Sequence, residues 1–273
     1  MVTGRRFFKM SGSGNDFAVF DAREQPAGDL ERPEFVRRIC ARGTGVGADG
    51  VVLIERPSID AADFRMRYFN SDGSRADMCG NAALCVTRLA AELGAGPAAG
   101  MRIQSDVGVL RARVGRDGPE VELQPVAEVR PDAGVELGAG ERRIGFALAG
   151  VPHLVVLCDS ADAVDVVGRG RPLRRHSSLP QGANVNFVSA AGDGRWRMRT
   201  YERGVEGETL ACGTGAIATA VLLQTWGLSG LESTLATSSG RLATVQLARE
   251  DVAWRPTLRG EGRVVYRGEL VEP

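Results

Sequence analysis

Short apolar runs bounded by glycine, asparagine and aspartate recur along the chain and predict strands joined by tight turns. In the first half the predicted strands lie at residues 7–10, 17–20, 51–54, 64–69, 101–114 and 121–123. Two stretches follow a helical period instead, one from Pro33 to Ala41 and one from Ala82 to Leu93. The second helix is apolar on almost every side, which predicts that it is buried.

The second half of the chain repeats the first in the same order. A strand, a polar turn and a Cys-Gly-polar helix start occupy residues 64–81, and the same series occupies residues 196–214. Cys79 opens the first apolar helix, Cys212 opens the second, and a glycine ends each helix at the same spacing. The sequence therefore predicts an α+β fold of two pseudo-symmetric domains, each a curved, mostly antiparallel sheet wrapped around a central buried helix.

The boundary between the two domains is predicted in the proline-containing stretch near residues 125–140, where neither period is clear. We expect an N-terminal domain of residues 1–123 and a C-terminal domain of residues 124–261. The last strand-like stretch, residues 262–273, lies beyond the second repeat, and we expect it to return and pair with the first domain.

Composition and charge are those of a soluble globular protein. Of the 273 residues, 43% are hydrophobic and 25% are charged, and the formal net charge is zero. A neutral chain gives no electrostatic reason to expect nucleic acid or an acidic membrane as a partner. No stretch approaches the roughly 20 apolar residues that span a bilayer, and the start of the chain lacks the apolar core of a signal peptide. We therefore expect a cytoplasmic protein.

The cysteine and histidine content argues against disulfides and metals. Five cysteines without a close C-x-x-C pair match neither a disulfide framework nor a structural zinc site. Two histidines are too few for a histidine-rich metal centre. Cys40, Cys85 and Cys158 are interpreted as core residues, because an isolated cysteine usually packs as a small apolar side chain.

Cys79 and Cys212 differ from the other cysteines because each precedes an apolar helix. At a helix amino terminus the macrodipole and the unpaired N–H groups favour a thiolate, and the same groups bind carboxylates. Gly80 and Gly213, the next residues, let a ligand approach the backbone closely. If both helix ends hold one amino-acid carboxylate, one thiol removes the α-proton and the other returns a proton on the opposite face. The pattern favours a two-base racemase or epimerase.

Lys9 is the only lysine in the chain, and so the only candidate for a Schiff base with pyridoxal phosphate. It lies in a strand-like position before a turn and carries no other signal for that role. We therefore expect chemistry without a cofactor. In such chemistry the helix ends must stabilise the transition state that forms as the weakly acidic α-hydrogen leaves.

Seven motifs, in order along nearly the whole chain, resemble those of the diaminopimelate epimerase family. They are Gly12-Ser-Gly-Asn-Asp-Phe17, Gly45-Val-Gly-Ala-Asp-Gly50, Asn70-Ser-Asp-Gly-Ser74, Met78-Cys-Gly-Asn81, Gly150-Val-Pro-His153, Ala183-Asn-Val-Asn186, and Glu202-Arg-Gly204 with Ala211-Cys-Gly-Thr-Gly-Ala216. The resemblance implies interconversion of LL- and meso-diaminopimelate, for lysine and peptidoglycan biosynthesis, without pyridoxal phosphate. It also implies that Cys79 and Cys212 are the two acid/base groups.

The resemblance implies roles for further residues around a small amino-acid substrate. Backbone groups beside the cysteines would hold the reacting carboxylate: Gly80, Asn81, Gly213 and Thr214. Five side chains would recognise the substrate, including its distal end: Asn15, Asn70, Asn184, Glu202 and Arg203. An arginine fork suits a carboxylate, and asparagine and glutamate suit an ammonium group. His153 and Glu202 are expected beside the thiols, whose reactivity they tune, and a homodimer is left open.

Three positions depart from the family pattern. Ala82 and Leu84 stand where a glycine and an arginine usually follow the first cysteine motif. Val151 replaces the asparagine of an Asn-Pro-His motif, and valine offers no amide to a ligand. Recognition of the distal end of the substrate is therefore the least defined part of the prediction.

The residues alone leave three alternatives open. A racemase of another amino acid on the same scaffold would not need Arg203. A thiol redox protein would cycle Cys79 and Cys212 through a disulfide. A binding module would exchange no α-hydrogen at all. Taken singly, His153 suits a structural role equally well, and Asn70 and Asn184 resemble ordinary turn formers.

Overall fold

The computed structural model describes residues 4–271 and divides into two compact units. The first unit contains the chain up to Glu122 together with the segment from Arg259 onward, and the second contains Leu123–Leu258. Each unit is a sheet with one buried helix, so the predicted α+β fold of two repeated domains is confirmed. No helix within the described residues is long and apolar enough to cross a membrane.

The first unit contains nine strands and two α-helices among its described residues. The strands are β1 (Arg5–Gly12), β2 (Asn15–Asp21), β3 (Gly50–Glu55), β4 (Phe64–Asn70), β5 (Arg75–Ala76), β6 (Met101–Ser105), β7 (Gly108–Gly115), β8 (Gly118–Glu122) and, from the end of the chain, β18 (Arg263–Leu270). The helices are α1 (Pro33–Cys40) and α2 (Gly80–Glu92). β18 pairs antiparallel with β1, whose other neighbour is β2. The β2–β3 and β4–β6 pairs are parallel.

The second unit repeats this arrangement. Its strands are β9 (Val129–Arg130), β10 (Glu141–Ala149), β11 (Val151–Cys158), β12 (Asn184–Ala190), β13 (Trp196–Glu202), β14 (Gly207–Thr209), β15 (Glu232–Ala236), β16 (Leu242–Glu250) and β17 (Ala253–Arg259). The helices are α3 (Val166–Arg174) and α4 (Gly213–Thr225). As in the first unit, an antiparallel hairpin, here β10–β11, is followed by a parallel pair, β11–β12, and β13 pairs parallel with β15.

The two central helices are buried as their apolar sequences predict. Every residue of α2 from Gly80 to Thr87 is buried, and so is every residue of α4 from Gly215 to Leu223. Gly94 and Gly227, just beyond the helix ends, have φ of 64° and 70°. This left-handed conformation favours glycine and closes the last turn of each helix.

Helix α3 is an element that the apolar pattern did not predict. It contains Gly168, Gly170 and Pro172, which weaken helix propensity and obscure the period. Tertiary packing compensates, because Gly170 lies so close to Tyr201 that an added Cβ would come within 2.6 Å of its side chain. The Asp165 carboxylate also caps the helix by accepting the Gly168 N–H at 2.9 Å.

Candidate active site

Cys79 and Cys212 occupy the same position in the two units, the N-cap of the central helix. Their backbones are both extended, with φ/ψ of −140°/119° for Cys79 and −138°/110° for Cys212. The carbonyl of Cys79 accepts the Ala83 N–H, and that of Cys212 accepts the Ala216 N–H, both at 2.9 Å. A helix start also exposes N–H groups without partners in the helix, so each cysteine lies beside backbone donors.

The thiol of Cys212 is built into the first turn of α4. Its sulfur accepts the Gly215 N–H at 3.3 Å and lies 3.5 Å from the Thr214 hydroxyl. Cys212 is buried, whereas Cys79 is half-buried and its side chain does not cap α2. The two cysteines therefore share a backbone position but differ in the surroundings of the sulfur.

Asn15 and Asn81 meet in the first unit at the start of α2. The Asn81 amide donates to Asn15 Oδ1 at 2.7 Å, and the Asn15 amide donates to Asp49 Oδ2 at 3.0 Å. Asn81 is buried. The chain Asp49–Asn15–Asn81 thus orients two of the predicted site residues, and Asp49 is a contributor that the turn-like sequence around it did not indicate.

Lys9 belongs to an ionic cluster behind this chain of amides. Its ammonium group is 2.6 Å from Asp16 Oδ2 and also donates to the Gly47 carbonyl. Arg42 pairs with both Asp16 and Asp49. Burial alone would raise the pKa of the Asp16 carboxyl, but hydrogen bonds from Arg42 and Lys9 lower it below its usual value. The only lysine is therefore engaged in holding β1, β2 and the loop before β3 together.

Asn70 lies at the end of β4, where the polar turn to β5 begins. Its amide donates to the Ser74 hydroxyl at 3.0 Å, and its backbone N–H donates to the Ser74 carbonyl at 2.8 Å. The side chain is half-buried. In this structure it supports the turn that leads toward Cys79.

Asn184, Glu202 and Arg203 come together in the second unit. The Asn184 carbonyl oxygen Oδ1 accepts the Arg203 backbone N–H at 2.7 Å, and Asn184 is buried. The Arg203 guanidinium donates to the Gln181 carbonyl at 3.0 Å. Glu202 is the last residue of β13 and is half-buried.

Glu206 fixes the loop that carries Arg203, and sequence reasoning did not single it out. Its carboxylate accepts from Arg174 at 3.0 Å, from the Gly204 N–H at 3.2 Å and from the Tyr201 hydroxyl at 3.2 Å. Its own φ is 57°, a conformation that few residues other than glycine adopt. Three donors around one carboxylate hold this turn in place.

His153 lies on β11 and is completely buried. Its Nδ1 is 3.2 Å from the Asn186 amide, and its Nε2 has no hydrogen-bond partner within residues 4–271. Burial lowers the pKa of His153 to about 3, and the positive charge of Arg203 acts in the same direction. The imidazole is therefore neutral.

The remaining cysteines have the surroundings of core residues. Cys40, Cys85 and Cys158 are buried thiols that form no disulfide. Burial raises the pKa of Cys40 and of Cys158 to about 12, and it raises that of Cys85 as well. Within the described residues no group of three or more histidine, cysteine and acidic side chains is placed to hold a metal ion.

Solved structures share this duplicated fold. A phenazine biosynthesis protein of the PhzF family from Bacillus anthracis matches with a TM-score of 0.75, at 16% identity over 98% of this chain and 99% of that one. A hydroxyproline epimerase from Agrobacterium vitis matches with a TM-score of 0.67, at 20% identity over 98% and 93%. The protein is thus of the two-domain fold class that these proteins share.

Sequence comparison identifies the family within that class. A sequence model of diaminopimelate epimerase matches residues 7–128 and 146–253. The diaminopimelate epimerase of Gemmatimonas aurantiaca is 54% identical over 97% of this chain and 98% of that protein. That of Aquifex aeolicus is 40% identical over 97% and 98%. The chain belongs to the diaminopimelate epimerase family, as its motifs predicted.

Proposed function

We propose that the protein is an isomerase that interconverts LL- and meso-diaminopimelate, with Cys79 and Cys212 as its two acid/base groups and no pyridoxal phosphate. Family membership supports the reaction. The observation that carries the roles of the cysteines is their equivalence, since both hold the N-cap of a buried central helix with nearly the same backbone angles.

Each cycle moves one proton off the α-carbon and one proton on. The thiolate of one cysteine takes the α-proton, and the electron pair left behind delocalises into the carboxylate. The thiol of the other cysteine then delivers a proton to the opposite face, so that the first cysteine ends as a thiol and the second as a thiolate. The mechanism requires the two sulfurs to face opposite sides of the α-carbon.

The helix ends stabilise the charge that develops on the carboxylate during this step. In the proposal its oxygens bind backbone groups at Gly80, Asn81, Gly213 and Thr214, which lie in the first turns of α2 and α4. His153 and Glu202 tune the thiols. The side chains that recognise the rest of the substrate are Asn15, Asn70, Asn184, Glu202 and Arg203.

The working form that we propose is a cytoplasmic enzyme with a small amino acid as its substrate and, as an assembly to be tested, a homodimer. Sedimentation of the purified protein at micromolar concentration distinguishes the dimer from the monomer. A single species with the mass of one chain would rule out the dimer under those conditions.

The reaction is tested by incubating the reduced protein with LL-diaminopimelate in D2O without added pyridoxal phosphate. Proton NMR should show loss of the α-hydrogen signal and accumulation of the meso isomer. Cys158→Ala serves as the control, because Cys158 is a buried thiol in the hydrophobic core of the second unit. A reduced protein that exchanges no α-hydrogen would exclude the epimerase.

A further inference from the structure

A buried polar network joins three strands of the second unit to the start of α4. The Asn186 side chain lies 3.2 Å from His153 Nδ1, 3.1 Å from the Leu154 carbonyl oxygen and 2.9 Å from the Thr200 hydroxyl. Gly215 closes the remaining side, because a Cβ there would overlap Asn186 Oδ1. His153, Asn186 and Thr200 are all buried, so the network lies inside the unit.

The neighbours of Asn186 determine which end of its amide faces which group. The Leu154 carbonyl only accepts, so Asn186 Nδ2 donates to it. The Thr200 hydroxyl donates to Oδ1 on the other side. The second hydrogen of Nδ2 is therefore directed at His153 Nδ1, and that nitrogen must accept.

We propose that Asn186, held by Thr200, is a positioning residue that fixes His153 as the neutral tautomer with its proton on Nε2. A neutral imidazole that accepts at Nδ1 carries its only N–H at Nε2. In this structure Nε2 is buried and has no partner within residues 4–271. A buried N–H without an acceptor is destabilising, so a donor fixed at Nε2 indicates an acceptor that arrives during function.

The acceptor that suits this donor is an anion, and this step rests on the proposed function. The reaction supplies two anionic acceptors, the substrate carboxylate and a cysteine thiolate. Toward either one, His153 acts as a fixed hydrogen-bond donor that stabilises negative charge and does not itself take the α-proton. Asn186 and Thr200 then join the site through the tautomer that they impose.

The charges around the ring agree with a neutral donor. Arg203, on the loop after β13, is the charged group whose field acts on His153, and it disfavours the imidazolium. β12 and β13 supply the uncharged Asn186 and Thr200 to the network. β10 places Ala147 opposite His153, and α4 supplies the Cys212 thiol, which accepts from Gly215 in the same turn.

The tautomer is measured directly by NMR of the full-length protein labelled with 15N-histidine. The chain has two histidines, so the spectrum contains two imidazoles, and the spectrum of a His176→Gln variant assigns the remaining signals to His153. We expect His153 to show a protonated Nε2 and an unprotonated Nδ1, unchanged between pH 5 and pH 9. A proton on Nδ1, or an imidazolium at neutral pH, would overturn the proposal.

Two substitutions test whether Asn186 and Thr200 impose the tautomer. Asn186→Asp replaces the donor by an acceptor of the same shape, and should move the proton to Nδ1 or produce an imidazolium. Thr200→Val removes the hydroxyl that orients the amide, and should yield a mixture of tautomers. Thr219→Val, another buried threonine of this unit, is the control and should leave the His153 signals unchanged. If Asn186→Asp does not fold, the Thr200→Val spectrum decides, and an unchanged tautomer there overturns the role of the network.

The acceptor is identified by following the Nε2 proton on addition of LL-diaminopimelate. A shift on addition to both Cys79→Ala and Cys212→Ala indicates the carboxylate, whereas a change caused by one of these substitutions before addition indicates that thiolate. A proton that responds to neither contradicts the donor role. Because the tautomer is read in the resting protein, an inactive enzyme with the expected tautomer would count against the proposed reaction and not against this inference.

Discussion

At three equivalent positions of their sheets, the first unit has mainly apolar side chains and the second has polar ones. The repeated Arg-Met-Arg stretches of β4 and β13 fix the equivalence, and the strand register extends it to β2, β3, β11 and β12. The corresponding pairs are Phe17 and His153, Val52 and Asn186, and Tyr68 and Thr200. The first unit is apolar at all three positions apart from the tyrosine hydroxyl, and the second is polar at all three.

The apolar packing of the first unit and the polar network of the second each require a nearby glycine, but at different positions. In the first unit the rings of Phe17 and Tyr68 meet edge to face with centroids 6.0 Å apart, and a Cβ on Gly50 would overlap Tyr68. In the second unit Gly215 makes room for Asn186. Duplication has thus kept the backbone while one copy packs aromatic rings and the other a hydrogen-bonded network. A buried polar network is stable only if nearly every donor and acceptor in it has a hydrogen-bond partner. Among the network atoms, His153 Nε2 is the exception.

The largest effect is expected where the two units are most alike, at Cys79 and Cys212. We expect Cys79→Ala and Cys212→Ala each to reduce epimerisation by about 10³-fold, because an acid/base group contributes roughly 10²–10⁴-fold. The measurement is kcat/KM for LL-diaminopimelate. Cys85→Ala is the control in α2 and should retain most activity. Full activity in either variant would mean that the equivalence of the helix starts is structural only.

The next largest effect on activity is expected at a position where the two units differ. Arg203 follows Glu202, which corresponds to Asn70 in the first unit. We expect Arg203→Ala to reduce kcat/KM on diaminopimelate by well over tenfold, roughly 1.4 kcal/mol per factor of ten, through loss of a charge-assisted bond to the distal carboxylate. The backbone N–H that Asn184 accepts remains in this variant.

Arg175→Ala is the matched control for Arg203→Ala, since it removes an exposed arginine from the same unit. We expect its kcat/KM to stay within about twofold of the unmodified protein, because exposed ion pairs contribute little. If both variants lose the same activity, the effect is one of general charge. If Arg203→Ala loses none, an amino acid without a distal carboxylate is the better substrate candidate.

A smaller effect is expected at the third residue of each central helix, which is Ala82 in α2 and Gly215 in α4. Helix propensity alone predicts that Gly215→Ala stabilises the protein by about 1 kcal/mol. We expect the opposite, a loss of about 2 kcal/mol in the free energy of unfolding, because the methyl group would overlap Asn186 Oδ1. Ala82→Gly should lose about 1 kcal/mol through propensity alone. Urea unfolding measures both, and a stabilised Gly215→Ala would contradict the tight packing of the network.

The features that sequence predicted are those with a local signature. Continuous apolar residues ended by glycine predicted the two central helices, and the repeated Cys-Gly motif at the helix starts indicated the two cysteines. Helix α3 lacked such a signature because Gly168, Gly170 and Pro172 hide its period, and contact with Tyr201 stabilises it instead.

The partners of the candidate site residues depend on contacts that are distant in sequence. Asn186 meets His153 only because β11 and β12 are parallel in one register. Asp49 meets Asn15 in a similar way, across the β2–β3 pair. A one-residue slip would turn these side chains to the other face of the sheet, and the local sequence does not specify the register.

The smallest effect on stability is expected from two charged residues of the first unit, whose equivalents in the second unit are uncharged. Asp16 and Asp49 correspond by register to Pro152 and Ala183 in the second unit. The pKa of Asp16 is lower in the folded protein than its ordinary value, because Arg42 and Lys9 outweigh the effect of burial. A lowered folded pKa contributes stability above the unfolded-state pKa of about 3.9, and this stability is lost as the pH falls through the folded value.

Asp16→Asn should therefore lower the free energy of unfolding by about 1 kcal/mol at pH 7, and this deficit should shrink below about pH 4. The carboxylate is partly exposed, so solvent screening keeps the effect small. Urea unfolding at pH 7, 5 and 3.5 measures it. Asp159→Asn is the control, because its pair with Arg142 in the second unit is mostly exposed, and it should change stability by less than about 0.5 kcal/mol at every pH. A deficit for Asp16→Asn that stays constant with pH would mean that the cluster stabilises the first unit by shape and hydrogen bonding and not by charge.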